Sequence, residues 1–414
     1  MPSIAYIAGL FPARSETFVY REVRALRARG WKIQTISLND PSIPNAVEFL
    51  DLFEQTKIVY GTEKPATFGA AIVESIFHPI RSLRTFFTAV GDALHPGDPT
   101  PLSTRLKLLA QAVAAIGMAR RIAAASPGHI HAHFAHAPAT VGMYAAVQLG
   151  IPFSFTGHAN DIFQRRSLLT RKLSRAAFVA CISEWHREFY KDFGVDPAKC
   201  RVIRCGVPVN EWTPRASHTI GPELQILTVC RLVPKKGVDT LLRALREFAD
   251  RSTQNWRLTI AGDGEEADKL KSLAKELGIA DRCEFLGAVE NERVRDLLGQ
   301  TDIFALPCKD DANGDRDGIP VVLMEAMACG VPVISGDLPA IRELIAHRES
   351  GMLVDGTKPA AVADAIRQLV SDDTLRAKII SNARLRVETE FSLDENVTRL
   401  TEMFRLTEMF QGCK

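Results

Sequence analysis

With 414 residues, 46% of them hydrophobic and 24% charged, the chain is too long for one core and has the make-up of an ordinary two-domain globular protein. It has no run of eighteen apolar residues, and its start, MPSIAYIAGLFP, has neither a basic n-region nor a small-residue cleavage site. No membrane span and no signal peptide are therefore expected, and a cytoplasmic location is. The formal net charge is only +2, yet residues 1–206 hold 24 Lys and Arg against 15 Asp and Glu, while the remainder hold 27 against 34. A basic half beside an acidic half suggests an anionic partner for the first. Nucleic acid is not expected, because no binding motif and no interleaving of aromatic and basic residues accompanies the charge. An anionic membrane surface, with the protein peripheral at its inner face, fits as well or better; an uneven but harmless surface charge fits equally. The eight cysteines are scattered, with no C-x-x-C pair, and read as reduced core residues.

In chain order, SIAYIAG reads as a strand, SETFVYREVRALRARG as a helix opened by Ser15 and closed by Gly30, and KIQTISL as a strand. Positions 19, 23 and 26 share one helix face. This β-α-β start is the mark of a parallel sheet. Residues 61–128 interrupt the alternation with Pro-rich breaks and two helical stretches, near 80–90 and 103–125. The second has cations at both ends and an apolar middle. Lying on a bilayer and packing in the domain both fit it, and its alanine content favours packing. Strands return at HIHAHF, PFSFTG, AFVACIS and CRVIRCG. After a polar, Pro-containing stretch from Pro208 to Pro222, a second alternating series runs from LQILTVC to GMLV, and the chain ends in helices, the last over about 393–410. The expected architecture is α/β, with two Rossmann-like domains, a cleft between them and a C-terminal helical segment. The expected boundaries are 1–206, with a helical insertion at about 61–128; a linker, 207–222; 223–390; and a tail, 391–414, packing back on the first domain. Ligands of such sheets bind outside the carboxyl ends of the strands.

The stretch GDRDGIPVVLMEAMACGVPVISGD draws attention first. Pro320 suits a first helical position, Gly318 lets backbone approach a ligand, and a helix start offers free N–H groups and a positive dipole end. Asp317 lies just outside the helix and Glu325 eight positions on, inside it. Two acceptors bracketing a set of donors suit a ligand with hydroxyls and an anionic part, such as a sugar nucleotide. The bland alternative is a capping Asp317 and a solvated Glu325. The nearly all-apolar VVLMEAMAC around Glu325 speaks against it, since an unpaired buried carboxylate is costly. In CRLVPKKG, Arg231 follows a strand and Lys235 and Lys236 precede a helix; fixed cations there can hold a diphosphate without a metal.

Other patterns are weaker. DRD at 315–317 imitates a metal motif, and the surrounding acidic loop imitates a calcium loop. Counted from Asp311, however, its twelfth position is Val322 and its sixth Arg316, so calcium is rejected. Alternate His129, His131 and His133, with His136, suggest zinc, but no further ligand stands at a recognised spacing, so no metal is expected. FTGHANDIF puts His158 and Asp161 after a strand, where a histidine reaches a reacting centre or is simply structural. GLFPARSET is the first strand-to-helix turn; Gly9 lets a ligand approach, and the missing G-x-G-x-x-G argues against a nicotinamide dinucleotide.

On these residues the chain resembles the retaining glycosyltransferases of the GT-B fold, in the large family-4-like group with an E-x7-E-type donor signature. Within it the sequence is similar to bacterial exopolysaccharide enzymes of the colanic-acid type. FPARSETFVYREVRALRARG, HIHAHFAHAPAT, FTGHANDIF, RLVPKKG and, most specifically, DGIPVVLMEAMACGVPVIS carry the likeness, which covers nearly the whole chain. The resemblance implies a metal-independent, cofactor-free hexosyltransferase moving sugar from a nucleoside-diphosphate donor, expected to be a UDP-sugar, to a saccharide or lipid-linked saccharide acceptor. By the same resemblance Glu325 binds the donor ribose and Arg231 and Lys236 the diphosphate. Asp317 and the N–H groups near Gly318 and Ile319 read the sugar hydroxyls, His158 lies near the scissile bond, and Gly9 closes over the phosphates. The family has glutamate where this chain has Asp317, a change that bears on donor identity. Two rival readings are a non-catalytic donor-binding scaffold and a sugar-nucleotide epimerase of the same fold.

Overall fold

The computed structural model describes residues 3–13, 16–41, 49–158, 167–215, 218–311, 314 and 316–411. Ser15, Asp161 and Asp315 lie outside the described residues. The chain forms two compact units, residues 1–204 with 396–414, and residues 205–395.

The first unit begins with β1 (Ser3–Ala8), α1 (Thr17–Ala28), β2 (Lys32–Ser37) and β3 (Lys57–Ile58). A helical block follows, α2 (Lys64–Phe77), α3 (Pro79–Leu94) and α4 (Leu102–Ala123). The sheet resumes with β4 (Pro127–His133), α5 (Ala137–Leu149), β5 (Phe153–Gly157), α6 (Leu169–Arg175), β6 (Phe178–Cys181), α7 (Glu184–Lys191) and β7 (Cys200–Val202). The seven strands are parallel in the order β3-β2-β1-β4-β5-β6-β7. Every residue of β1 and β6 is buried, as a parallel sheet covered on both faces requires. Val19, Val23 and Leu26 form the buried stripe of α1.

The block between β3 and β4 holds three helices where two were expected. Pro79 opens α3 directly after α2, because proline is at home in a first helical turn, and so the pair reads in sequence as a break. Leu108, Ala112, Ala115, Met118, Ala119 and Ile122 of α4 are buried, so this helix packs inside the unit and does not lie on a bilayer. At its crossing with α2, a Cβ on Gly117 would stand 2.0 Å from the Thr67 carbonyl oxygen. The block is also pinned by buried polar contacts. Gln148 of α5 donates to Glu74 and Ser82, at 3.1 and 3.3 Å, and accepts from Thr85 at 2.8 Å. Arg175 of α6 forks onto Asp92 at 2.5 and 2.8 Å.

The second unit runs β8 (Glu223–Val229), α8 (Val238–Arg251), β9 (Asn255–Ala261), α9 (Ala267–Glu276), β10 (Cys283–Gly287), α10 (Asn291–Gly299), β11 (Ile303–Leu306), α11 (Val321–Ala328), β12 (Val333–Gly336), β13 (Met352–Val354), α12 (Pro359–Ser371) and α13 (Asp373–Glu390). Its six parallel strands are ordered β10-β9-β8-β11-β12-β13. The order reverses between β8 and β11, the switch point where such sheets bind ligands. The final helix, α14 (Leu393–Gln411), belongs for most of its length to the first unit. There Phe404 packs its ring against Trp31, His131 and Phe178 at 5.8, 5.5 and 5.6 Å, and Asn396 accepts from the Arg204 N–H at 2.8 Å.

The α2–α4 crossing generates a test. Gly117→Ala should destabilise the first unit by about 1–3 kcal/mol, because the new methyl meets backbone that no side-chain rotation can clear. Calorimetry should show a melting temperature several degrees lower. An unchanged transition would mean that the two helices are not seated as described.

Candidate functional site

In the second unit, two loops meet at the switch point. Beyond β8, Pro234–Lys236 form a tight turn, and Gly237 follows with φ +67°. Only glycine fits there: the backbone is left-handed, and a Cβ would lie 2.0 Å from the Pro307 carbonyl oxygen beyond β11. The Lys309 N–H donates to the Lys235 carbonyl at 2.8 Å, and the Lys309 ammonium binds Asp239 at 2.7 Å. Glycines also let the other strand ends approach. A Cβ on Gly336 at the end of β12 or on Gly356 after β13 would strike the Cys308 carbonyl oxygen, at 1.6 and 2.3 Å.

Asp317 sits among these ends. Its carboxylate lies 3.0 Å from the Lys236 ammonium and 3.7 Å from that of Lys235. Burial opposes charge on both sides of this pair. For Asp317 the two lysines outweigh burial and hold its carboxyl below the usual range. For Lys236 burial is likewise outweighed, by Asp317 and by the nearby Cys308 and Cys230, so its pKa lies above the ordinary lysine value. Both groups are therefore charged at neutral pH. Arg231, by contrast, is exposed. Lysines 235, 236 and 309 outnumber their partners Asp317 and Asp239, which leaves these paired groups net cationic.

The capping alternative for Asp317 does not hold. Pro320 is the N-cap of α11, one position earlier than expected of it, and no side chain caps this helix. Nor is Glu325 solvated: it is 5% exposed, between Met324 and Ala326 on a helix buried from Leu323 onward. It contributes with burial to pushing the Cys329 thiol up to about 12. Gly318 and Ile319 are half-buried ahead of the helix.

In the first unit, His158 follows β5 and is buried. Its Nε2 lies 3.2 Å from His133 Nδ1, and His133 Nε2 lies 3.1 Å from both the Tyr6 hydroxyl and Glu22 Oε1. Tyr6 in turn donates to Glu22. Phe18 and Phe134 wall His158 with ring centroids at 4.7 and 4.6 Å. If His133 gives its one proton to the carboxylate, its Nδ1 accepts from His158, whose other nitrogen then carries a lone pair. Burial, aided by the neighbouring histidines, holds His158 and His131 well below the usual 6.5, and burial alone brings His129 to about 3. Gly9 has an ordinary backbone, and the nearest atoms to a Cβ there would be 3.9 Å away, so no neighbour within the protein demands glycine.

The expectation that no further ligand stands near the alternate histidines needs correction. Glu22, His131 and His133 bring ligand atoms within 4.8 Å of one another. Yet both His131 nitrogens are hydrogen-bonded, to Ser154 at 2.7 Å and Thr156 at 3.0 Å, and His133 is held as described. The donors form a closed hydrogen-bond network. Glu22 was missed because its partners are far away in sequence; the signal was a carboxylate three residues along from the buried Val19. Lys309 and Asp239 carried no sequence signal beyond their charge.

Two family profiles meet end to end on the chain: Glycosyltransferase Family 4 over residues 15–211, and Glycosyl transferases group 1 over residues 210–386. Together the two profiles span residues 15–386, and the chain is a glycosyltransferase. It is 28% identical over 408 residues to the amylovoran biosynthesis glycosyltransferase AmsK of Erwinia amylovora, covering 95% of itself and 97% of that protein. It is 34% identical over 202 residues to the putative colanic acid biosynthesis glycosyltransferase WcaL of Escherichia coli, 48% and 49% of the two chains. It is 29% identical over 249 residues to a GDP-mannose-dependent alpha-(1-6)-phosphatidylinositol monomannoside mannosyltransferase of Mycobacterium tuberculosis, 58% of this chain and 64% of that one. It thus matches only half to two thirds of the length of the last two. Among solved structures, Anabaena HepE in complex with UDP superposes with a TM-score of 0.72 at 18% identity, covering 98% of this chain and all of that one. The fold is GT-B.

Buried histidines held neutral make the first unit acid-sensitive in a specific window. Folded, they stay neutral; unfolded, they take up protons below about 6.5, so stability falls from there downward by about 1.4 kcal/mol per pH unit for each. Melting temperatures measured from pH 7.5 to 5 should decline before the carboxylates titrate, and less steeply in His129→Gln. A flat profile above pH 5 would show that the histidines charge within the fold.

Proposed function

We propose that the protein transfers a hexose from a nucleoside-diphosphate sugar to a saccharide acceptor, with retention of configuration and without a metal, in the assembly of an exopolysaccharide or cell-surface glycan. The observation that carries this reading is the largely buried Lys236–Asp317 pair inside a net cationic cluster at the β8/β11 switch point. A diphosphate offers two negative charges to such a cluster, and the lysines and Arg231 stabilise it as a leaving group. The bond from the sugar's anomeric carbon to the β-phosphate oxygen breaks as the acceptor oxygen bonds on the same face, and the departing phosphate takes the acceptor's proton. No carboxylate nucleophile is required.

In this reading Glu325 accepts from the donor ribose. Asp317, with backbone N–H groups at Gly318 and Ile319, reads the sugar hydroxyls. His158 lies against the transferred sugar near the scissile bond, and Gly9 admits the donor phosphates. The names of AmsK and WcaL support the exopolysaccharide context. HepE was solved with UDP, which supports a UDP-sugar; the mycobacterial relative is named for GDP-mannose, which makes GDP the alternative base to test. We take the acceptor to be lipid-linked, as an assembly step at the inner membrane face requires.

Thermal melting with UDP- and GDP-sugars, with and without EDTA, identifies the donor: about 2.7 kcal/mol of stabilisation is expected at a hundred times the dissociation constant. The shift should survive EDTA and be lost in Glu325→Gln, which keeps the shape of the side chain. Arg231→Ala, at an exposed position, should keep its melting temperature and lose about a hundredfold in kcat. Gly9→Ala should melt normally and turn over poorly. Full activity in Arg231→Ala would remove the assigned site. Donor turnover without acceptor product would indicate an epimerase, and donor binding without turnover a scaffold. Proton NMR of the new linkage decides retention.

A further inference from the structure

The helical block of the first unit carries an apolar surface that no described residue covers. On α3, Ile80, Leu83 and Phe87 fall on one stripe, and Ile80 and Phe87 are 83% and 64% exposed. On α2, Ile72 and Ile76 stand one turn apart, Ile76 being 68% exposed. Single exposed apolar residues are ordinary, whereas a contiguous set marks a site of interaction. Between α2, α3 and α4 this surface opens into an apolar cavity of about 590 Å³, lined by Phe68, Ile72, Ile76, Leu83, Phe86 and Val113 among others. That is the size of a small-molecule site, but its walls suit a hydrocarbon chain and not a polar ligand.

The charges around this surface identify what it meets. From residue 64 to 123 the only acids are Glu74, Asp92 and Asp98. All three are engaged within the protein: Glu74 with Arg120 and Gln148, Asp92 with Arg175 and Tyr144, and Asp98 with Thr170. Lys64, Arg81, Arg84 and Lys107 are exposed. Arg84 borders the apolar stripe of α3 and Arg81 stands exposed one residue beyond Ile80, where their aliphatic stems can lie along the surface while the guanidinium groups reach outward. A second copy of the chain would bring these cations against their own kind. No helix among the described residues is long and apolar enough to cross a membrane.

We propose that the α2–α3 hairpin is a membrane-docking element that seats in the headgroup region of an anionic phospholipid bilayer, its apolar stripe in the acyl boundary and its cavity receiving a hydrocarbon chain. The inference deepens the lipid-linked acceptor of the proposed function, but it stands on the hairpin and not on the reaction.

The test is flotation of the full-length protein with vesicles of phosphatidylcholine alone and of phosphatidylcholine with about one third phosphatidylglycerol. Wild type should float with the anionic vesicles at low salt. Ile80→Glu/Phe87→Glu and Arg81→Glu/Arg84→Glu should each bind at least about tenfold more weakly, with unchanged melting temperatures, since all four side chains are exposed. The nucleotide-sugar melting shift, measured on the same samples, keeps the two proposals apart: vesicle binding without any donor shift would sink the reaction and leave the docking element standing. Wild type that stays free of anionic vesicles, or variants that float as wild type does, would overturn the proposal. So would a vesicle-free dimer that Ile80→Glu/Phe87→Glu makes monomeric, which would give the surface to a second copy.

Discussion

The second unit depends on one largely buried ion pair, Lys236 with Asp317. Taking the Lys236 ammonium and the Asp317 carboxylate out of water is expensive, and removal of either partner from such a pair typically costs 3–5 kcal/mol, because the other is left uncompensated. The pair therefore holds the turn after β8 against the segment ahead of α11, whose own helix start has no side-chain cap. Much of the local sequence serves that approach. Gly237 admits the Pro307 carbonyl, Gly336 and Gly356 admit that of Cys308, and the Lys309 N–H closes onto Lys235. A larger side chain at any of these glycines would push apart the strand ends that bring cation and anion together.

The first unit handles its ionisable groups in the opposite way. His129, His131 and His158 are kept neutral by burial, and Ser154, Thr156 and His133 hydrogen-bond one nitrogen of His129, both of His131 and one of His158. The one carboxylate that reaches this network, Glu22, is anchored by Tyr6 and His133, which orients His133 and through it His158. A neutral, oriented imidazole is a hydrogen-bonding group of fixed direction, not a local positive charge. In the second unit, pairing keeps the groups charged.

Much of this was legible in the sequence because it rests on local patterns. The strands read as short β-branched runs, α1 as a stripe at 19, 23 and 26, and the β8 turn as cations before a glycine. Glu325 stood out as a carboxylate in an apolar helix. What escaped depends on residues distant in sequence. Glu22 meets His133 only after a β-α-β-α series has wound the sheet, and no spacing rule encodes that. Asp317 stood out as one of two carboxylates bracketing a helix start, but its partner did not: Lys236 lies 81 positions earlier.

The helical block shows the same contrast from the other side. Its basic charge was visible in the composition, and α4 was the helix whose apolar middle suggested a bilayer. In the fold α4 spends that apolar surface on α2 and α5, where Gly117 brings the first crossing down to backbone contact. The apolar face left over belongs to α2 and α3, which periodicity alone could not separate from an ordinary core stripe, since both look alike until the partner helix is known. The buried acids make the distinction physical. Glu74 and Asp92 point inward to Gln148 and Arg175 and fix which faces of α2 and α3 pack against the unit. The opposite faces, carrying Ile76, Ile80 and Phe87 with Arg81 and Arg84, are then the ones that must turn outward.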